Sequence, residues 1–251
     1  MKLNNNKCCT IDVGYSTNSD LALPNSNNSV NLGQCCTKTD LGIKLDSKLT
    51  FSLHVSDVVA KSKQRLFMIF RAFNTRNITY LLRGYKAYVL PLVSYCSSVW
   101  SPNNLDDIRS LESVQRLFTR RLPGVENLSY NDRLQKLHLP SLELRRLRSD
   151  LLLCYKLLHG KVAGSPETYG LQYAINTTVT RGHNLKLIKL HCRTDARKHF
   201  WGFRVVTPWN FLPESTVNAP SSASFKKMIS KCDINKFLKI NWTGSINRCY
   251  S

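Results

Sequence analysis

The chain has 251 residues, of which 42% are hydrophobic and 21% are charged, so its composition excludes a largely disordered protein. Its 36 Lys and Arg residues against 16 Asp and Glu give a formal net charge of +20. Because that charge is spread through segments mixed with aliphatic and aromatic residues, it favours nucleic acid as a partner over a basic disordered tail.

The cysteines and the start of the chain bear on compartment and membrane contact. Nine cysteines are scattered along the chain, and its first residues, MKLNNNKCCT, lack the apolar core of a signal peptide. No stretch reaches the roughly 18 consecutive apolar residues of a membrane span. We therefore expect an intracellular protein, nuclear or cytoplasmic, that is not secreted and has no membrane partner.

Residues 1–50 are predicted to be loop-rich. Asn and Ser dominate as far as residue 36, with short apolar pieces at 11–13 and 21–23 that indicate weak strands. A further short strand is predicted at 41–45.

Residues 51–160 carry apolar side chains at spacings of three and four, which is typical of amphipathic helices. The first helix is expected to begin at a cap provided by Thr50 or Ser52 and to run to about Phe73. The second is expected to bend at Pro91, because proline removes a backbone donor and crowds the preceding turn.

Three further helices complete this predicted bundle. Asn103 or Asn104 is expected to cap the third, and Ser129 the short fourth. The fifth begins after Ser141 and ends at Gly160, a residue suited to a left-handed C-terminal cap.

The last part of the chain is divided into a glycine-rich linker at 161–184 and a C-terminal extension at 185–251, with an aromatic cluster and a final helix near 225–232. The predicted fold class is therefore mainly α: a helical bundle preceded by a short loop-rich β segment and followed by a small α/β extension.

No catalytic or metal-binding motif is complete in the chain. The one adjacent acidic pair, Asp106 and Asp107, stands at a predicted helix start, where carboxylates complement the helix dipole. His183, His191, Cys192 and His199 lack the paired spacing that closes a zinc site. We expect no catalytic residues, no bound metal and no cofactor for this chain.

Arginines on two predicted helices are the candidate contacts to phosphate, because guanidinium groups bind phosphate oxygens bidentately. They are Arg109, Arg116, Arg120 and Arg121 on the third helix and Arg145, Arg146 and Arg148 on the fifth. The alternative is a solvated charged face. Trp201, Phe203 and Trp209 are candidates for stacking on bases, with core packing as the alternative.

Several blocks resemble, in order, the C-terminal region of LINE-type, non-LTR retrotransposon reverse transcriptases of the jockey-like group. They are DLGIKLDSKLTF (40–51), YKAYVLPLVSYCSSVWSP (85–102), LESVQRLFTRRLPG (111–124), LSYNDRLQKLHLPSLELRRLRSDLLLCYKLLHG (128–160) and FRVVTPWNFLPESTVNAPSSASFKK (203–227). A weaker likeness at residues 2–9 matches the stretch that follows that family's catalytic palm.

The resemblance implies a transposable-element protein whose residues 1–50 are a remnant of the palm edge and whose residues 51–160 are a thumb-like domain. The family's paired aspartates, which hold divalent metal ions, have no counterpart, because no Tyr is followed two residues later by Asp-Asp. It therefore implies a truncated fragment of an RNA-directed DNA polymerase that binds RNA or DNA backbone non-specifically and does not polymerise alone. Its partners would be an RNA/DNA duplex and the missing palm domain.

Two alternatives stay open at this point. In the first, the chain is a helical structural or interaction remnant without independent activity. In the second, it is a gene-model fragment of a full endonuclease and reverse transcriptase.

Overall fold

A computed structural model of the protein describes residues 8–13, 22–24, 29–31, 33–174 and 182–240. The fold is mainly α, as predicted: helices make up most of the described residues, and short antiparallel strand pairs lie near the N-terminus. No helix within the described ranges is long and apolar enough to cross a membrane.

The N-terminal segment holds two hairpins. Strand β1 (Ala22–Pro24) pairs with β2 (Ser29–Asn31), and β3 (Thr37–Asp40) pairs with β4 (Ile43–Asp46). The predicted strand at 41–45 is therefore β4, displaced by the turn that precedes it. The predicted strand at 11–13 is wrong, since the neighbouring Thr10 makes only an isolated bridge to Gln34.

Helix α1 (Ser52–Ala72) begins differently from the prediction. Its N-cap is Phe51, in a left-handed conformation and without a side-chain cap hydrogen bond. The carboxylate of Asp46 instead accepts the backbone N–H groups of Lys48, Thr50 and Phe51. The hydroxyl of Thr50 also donates to Asp46, and that of Ser52 donates to Asp107 on a distant helix, so neither hydroxyl caps α1.

Pro91 ends a helix rather than bending one. Helix α2 (Ile78–Tyr88) stops three residues before it, and α3 (Leu90–Ser94) starts with Pro91 in its first turn, where a missing backbone N–H costs nothing. Helix α4 (Ser97–Trp100) follows and places Trp100 in the core.

The remaining bundle helices have the predicted caps. The side chains of Asn104, Ser129 and Ser141 each accept a backbone N–H in the first turn of α5 (Leu105–Arg120), α6 (Tyr130–Lys136) and α7 (Leu142–Leu158), respectively. Gly160 has a φ of 61°, the left-handed conformation expected of it after α7.

The C-terminal region is built from short helices: α8 (Asp195–His199), α9 (Trp201–Arg204), α10 (Val206–Phe211), α11 (Glu214–Val217) and α12 (Ser222–Ile229). Helix α12 is the predicted last helix, with the predicted length of eight residues but beginning three residues earlier than expected. The β component of the described extension is one antiparallel bridge between Tyr173 and Leu187. Residues 175–181 of the predicted linker and 241–251 of the predicted extension lie outside the described residues.

Two clusters of buried apolar side chains hold these parts together. The first unites β4 with α1 to α6 and reaches Leu142 at the start of α7. The second begins at Leu151 of the same helix and includes Trp209 and Phe225 of the extension. Because α7 contributes to both clusters, it joins the bundle to the C-terminal region; the predicted domain boundaries at 160 and 184 stay predictions.

Candidate nucleic-acid interface

A group of exposed arginines lies at the C-terminal end of α5. Arg116 and Arg120 are exposed within the last two turns of the helix, and Arg121 is exposed at its C-cap. Their charges complement the partial negative charge of the helix C-terminus. We call Arg116, Arg120 and Arg121 the arginine cluster.

Helix α6 adds further cationic groups to this cluster. Burial lowers the pKa of Arg133, and the neighbouring charges of Arg116 and Arg120 lower it further, so the three guanidinium groups share one field. Lys136 donates from Nζ to the carbonyl of Gly124, 3.0 Å away, in the loop between α5 and α6. Positive charge is therefore concentrated where α5, this loop and α6 meet.

Two of these guanidinium groups lie over aromatic rings. Arg121 is 5.0 Å from the ring centre of Phe67 and 5.6 Å from that of Phe70, both on α1. Arg116 is 4.9 Å from the ring centre of Tyr130. Such stacking orients a guanidinium while leaving its N–H edge able to meet a phosphate.

Arg120 and Arg121 retain their charge. Across the ranges that the structure describes, neither Arg120 nor Arg121 has a carboxylate within ion-pair distance. Arg109, near the other end of α5, does: its Nη1 lies 3.0 Å from Oδ1 of Asp106. The predicted arginine face of α5 therefore divides into one end where Asp106 neutralises Arg109 and another where Arg120 and Arg121 are uncompensated, about 16 Å apart along the axis.

The predicted arginines of α7 do not join this cluster. Arg145 is half-buried and donates from Nε to the hydroxyl of Ser94 at 3.3 Å, and Arg148 donates from Nη2 to the carbonyl of Ser230, also at 3.3 Å. Both side chains make contacts within the protein. As contacts to phosphate, Arg145 and Arg148 stay predictions.

Arg146 requires a correction, because its side chain is enclosed. The residue is 3% exposed, and its pKa is lowered first by burial, while Glu112, Glu143 and Asp150 oppose that shift. An enclosed guanidinium cannot reach the phosphates of a duplex. Its position, four residues after Leu142 and four before Asp150, is the spacing of a buried helix face and could have indicated this.

The aromatic candidates are mostly core residues. Trp209 is fully buried, stacks on Phe225 and donates from Nε1 to the carbonyl of Leu185 at 2.8 Å. Trp201 is 4% exposed and packs edge-on against Tyr169. Neither indole offers a free face to a base, so the core-packing alternative describes both.

Phe203 is the exception among the three. It is half-buried, and the guanidinium of Arg197 lies 5.1 Å from its ring centre. An exposed neighbour, Phe200, lies 6.4 Å from it between ring centres. Phe203 stays a candidate contact, although it lies in the C-terminal region rather than beside the arginine cluster.

Arg133, Lys136 and Arg204 were not predicted from the sequence. The first two follow α5 after a short loop, so adjacency of consecutive helices was the available signal. Arg204 donates to Asp150 from Nε at 3.0 Å and from Nη2 at 3.2 Å. The only indication of this ion pair in the sequence was the position of Arg204 as a single arginine within an aromatic stretch.

The four residues considered as zinc ligands, His183, His191, Cys192 and His199, do not form a metal site. In the described part of the chain, no group of three or more His, Cys, Asp or Glu side chains is placed to hold a metal ion. His183 instead packs edge-on against Trp209, and His199 is hydrogen-bonded to Asn103 at 2.6 Å.

Comparison with known proteins adds one relative. The chain is 30% identical over 125 residues to an uncharacterized protein of Caenorhabditis elegans. That match covers 49% of this chain and 63% of the relative, so it spans less than two thirds of the relative's length. No protein-family model matches the chain, and no solved structure is significantly similar to it.

Proposed function

We propose that this chain is the part of a LINE-type reverse transcriptase that holds nucleic acid, with a thumb-like bundle that contacts the backbone of the template and primer. The ordered sequence blocks support the ancestry. Arg120 and Arg121 of the arginine cluster support the binding, since both are exposed and neither has a carboxylate within ion-pair distance in the described part of the chain.

The chemistry of the cluster suits contacts that ignore base sequence. Arg and Lys bind phosphate oxygens, which occur at every step of a duplex and carry no sequence information. A polymerase has to hold whatever sequence it copies. The proposed role is therefore positioning of a duplex, while catalysis depends on a palm with paired aspartates that this sequence does not contain.

A pair of matched substitutions on one helix tests the binding. We expect Arg120→Ala to weaken binding of a labelled 20-base-pair RNA/DNA duplex about fivefold, as measured by fluorescence anisotropy at low salt. Arg109→Ala is the control, because it removes an exposed arginine whose charge Asp106 already neutralises. Equal losses in the two variants, or no duplex binding by the wild type, would contradict the proposal.

The ancestry has a separate test. The transcript that encodes this chain is expected to contain, in frame and upstream, a palm with paired aspartates. Primer extension with the 251-residue chain and divalent metal is expected to give no templated product. Templated synthesis by the chain alone would overturn the assignment of a holding role.

A further inference from the structure

A cavity of about 160 Å³ lies between α7, α9 and residues 237–239, away from the arginine cluster. It is several times larger than the roughly 30 Å³ that one molecule occupies in liquid water. Its lining combines apolar side chains such as Leu147 and Phe203 with an unusual number of charged groups. The charged residues of the lining therefore determine which kind of ligand the cavity can bind.

The enclosed guanidinium of Arg146 is part of this lining. Its Nε and Nη1 atoms are buried and have no hydrogen-bond partner. An enclosed cation with unmade hydrogen bonds is strongly destabilising unless an acceptor meets it. Arg146 thus contributes two buried donors without an acceptor to the lining of the cavity.

The two carboxylates that line the cavity are already engaged. Glu143 accepts the backbone N–H of Lys239 at 2.6 Å and that of Ile240 at 3.4 Å. Asp150 is held by two nitrogens of Arg204. Neither carboxylate lies within ion-pair distance of Arg146 in the part of the chain that the structure describes.

Lysines surround the entrance. Lys189 and Lys198 are exposed and line the cavity, and the half-buried Lys239 donates from Nζ to the carbonyl of Asn103 at 2.8 Å. Burial lowers the pKa of His199 to about 4, and the charge of Lys239 contributes to that shift. His199 is accordingly neutral at pH 7, and the cations that remain attract an anion.

The cavity also contains an unused acceptor. Oδ1 of Asn103 is buried and has no partner, while the amide nitrogen of the same side chain lies 2.6 Å from Nε2 of His199. A ligand that satisfies both Arg146 and Asn103 has to accept hydrogen bonds and donate one. A protonated phosphate group has both properties, whereas sulfate at neutral pH has only acceptors.

We propose that this cavity binds a protonated phosphate group, with Arg146 and Lys239 binding its oxygens and Asn103 accepting its O–H. Lys189 and Lys198 draw the anion to the entrance. This site is independent of the proposed duplex binding, because it shares no residue with the arginine cluster.

Isothermal titration of the full chain with inorganic phosphate, at pH 7 and physiological ionic strength, tests the site. We expect one phosphate per chain and weaker binding of sulfate. Arg146→Met should abolish binding. Because that variant is at risk of misfolding, Lys198→Ala is measured beside it; its exposed side chain can be removed without opening the core, and we expect about fivefold weaker binding.

Lys86→Ala is the matched control, since it removes an equal charge from an exposed side chain of α2 outside the cavity and should leave phosphate binding unchanged. The proposal is overturned if phosphate does not bind, if sulfate binds equally well, or if Lys198→Ala and Lys86→Ala have the same effect. A folded Arg146→Met variant that still binds phosphate overturns it as well.

Competition identifies the source of the phosphate group. The competition is run at about pH 5.5, where a phosphate monoester retains one proton. A 5′-phosphorylated trinucleotide that displaces phosphate, when its unphosphorylated counterpart does not, supports a terminal phosphate as occupant. Displacement by neither supports free phosphate. Displacement by the unphosphorylated trinucleotide overturns the site, because the effect would then come from the general positive charge of the chain.

Discussion

Oε2 of Glu112 on α5 accepts the backbone N–H of Leu142 at 2.9 Å, so a buried carboxylate satisfies the first turn of α7 from another helix. The hydroxyl of Tyr130 donates to the same carboxylate. Leu142 is the residue at which the apolar core of the bundle reaches α7. The junction of three helices is thus organised around one ionisable group.

The stability of this junction should depend on pH. Burial raises the pKa of Glu112 from 4.5 to about 7, against the lowering effect of the Tyr130 hydroxyl. The folded protein therefore retains a proton that the unfolded chain releases, and stability is lost as the pH rises from 4.5 towards 7.

The variant Glu112→Gln isolates this effect, because its amide is neutral at every pH. We expect the free energy of unfolding of Glu112→Gln, relative to the wild type, to rise by about 3 kcal/mol between pH 4.5 and 7.5. Urea denaturation at the two pH values measures the difference. Parallel pH profiles for the two proteins would contradict the raised pKa.

The ion pair between Arg204 and Asp150 should contribute to stability because it is shielded from water. The side chain of Asp150 is 4% exposed and that of Arg204 20%. We expect Asp150→Asn to lower the free energy of unfolding by about 3 kcal/mol, since it leaves a shielded cation without its partner. Thermal denaturation is the measurement.

Asp106→Asn is the control for that experiment. It removes the same type of group from an ion pair whose side chains are 81% and 51% exposed, and we expect little change in the melting temperature. A comparable loss of melting temperature in both variants would show that shielding from water does not increase the contribution of the Arg204–Asp150 pair to stability.

Gly202 in α9 is predicted to tolerate no side chain. A Cβ atom at this position would lie 2.0 Å from the carbonyl oxygen of Tyr169. Alanine normally favours a helix over glycine by about 1 kcal/mol, but the clash should reverse that sign, and we expect Gly202→Ala to destabilise by roughly 1 to 3 kcal/mol. Gly33→Ala, with no atom near the added Cβ, is the control in the same denaturation assay.

Salt dependence gives a further prediction for the arginine cluster. The logarithm of the duplex binding constant should fall linearly with the logarithm of salt concentration, by roughly 0.9 for each phosphate neutralised. The double variant Arg120→Ala, Arg121→Ala should therefore have a slope about 2 units shallower than the wild type. An unchanged slope would mean that other cations make the phosphate contacts.

Local features of this fold could be predicted from the sequence, and long-range ones could not. The caps at Asn104, Ser129 and Ser141 were confirmed because each depends on a side chain and the amides that directly follow it. The start of α1 was not, because the hydroxyls of Thr50 and Ser52 donate to the carboxylates of Asp46 and Asp107, the second of which lies 55 residues away in sequence.

The candidate site shows the same limit. Arg145 and Arg146 are neighbours of one residue type, yet only Arg146 is enclosed, because the C-terminal extension covers its side of α7. That cover is supplied by residues more than 50 positions away, such as Arg204 and Lys239. The exposed cluster at the end of α5 was predictable from the helical spacing of its arginines. The ion pair between Arg109 and Asp106 was not, because it forms only when both side chains adopt rotamers that bring their charged groups together.

Helix α7 has Leu142 in one apolar cluster and Leu151, Cys154 and Tyr155 in the other. Unfolding of either cluster would remove the packing that stabilises α7, on which the other cluster also depends. Because helix formation is cooperative along the chain, the two ends of α7 are not expected to unfold separately. The two halves of the described protein should consequently unfold in a single cooperative transition. Cutting the backbone near Gly164, outside α7, should leave the pieces associated until that transition is reached.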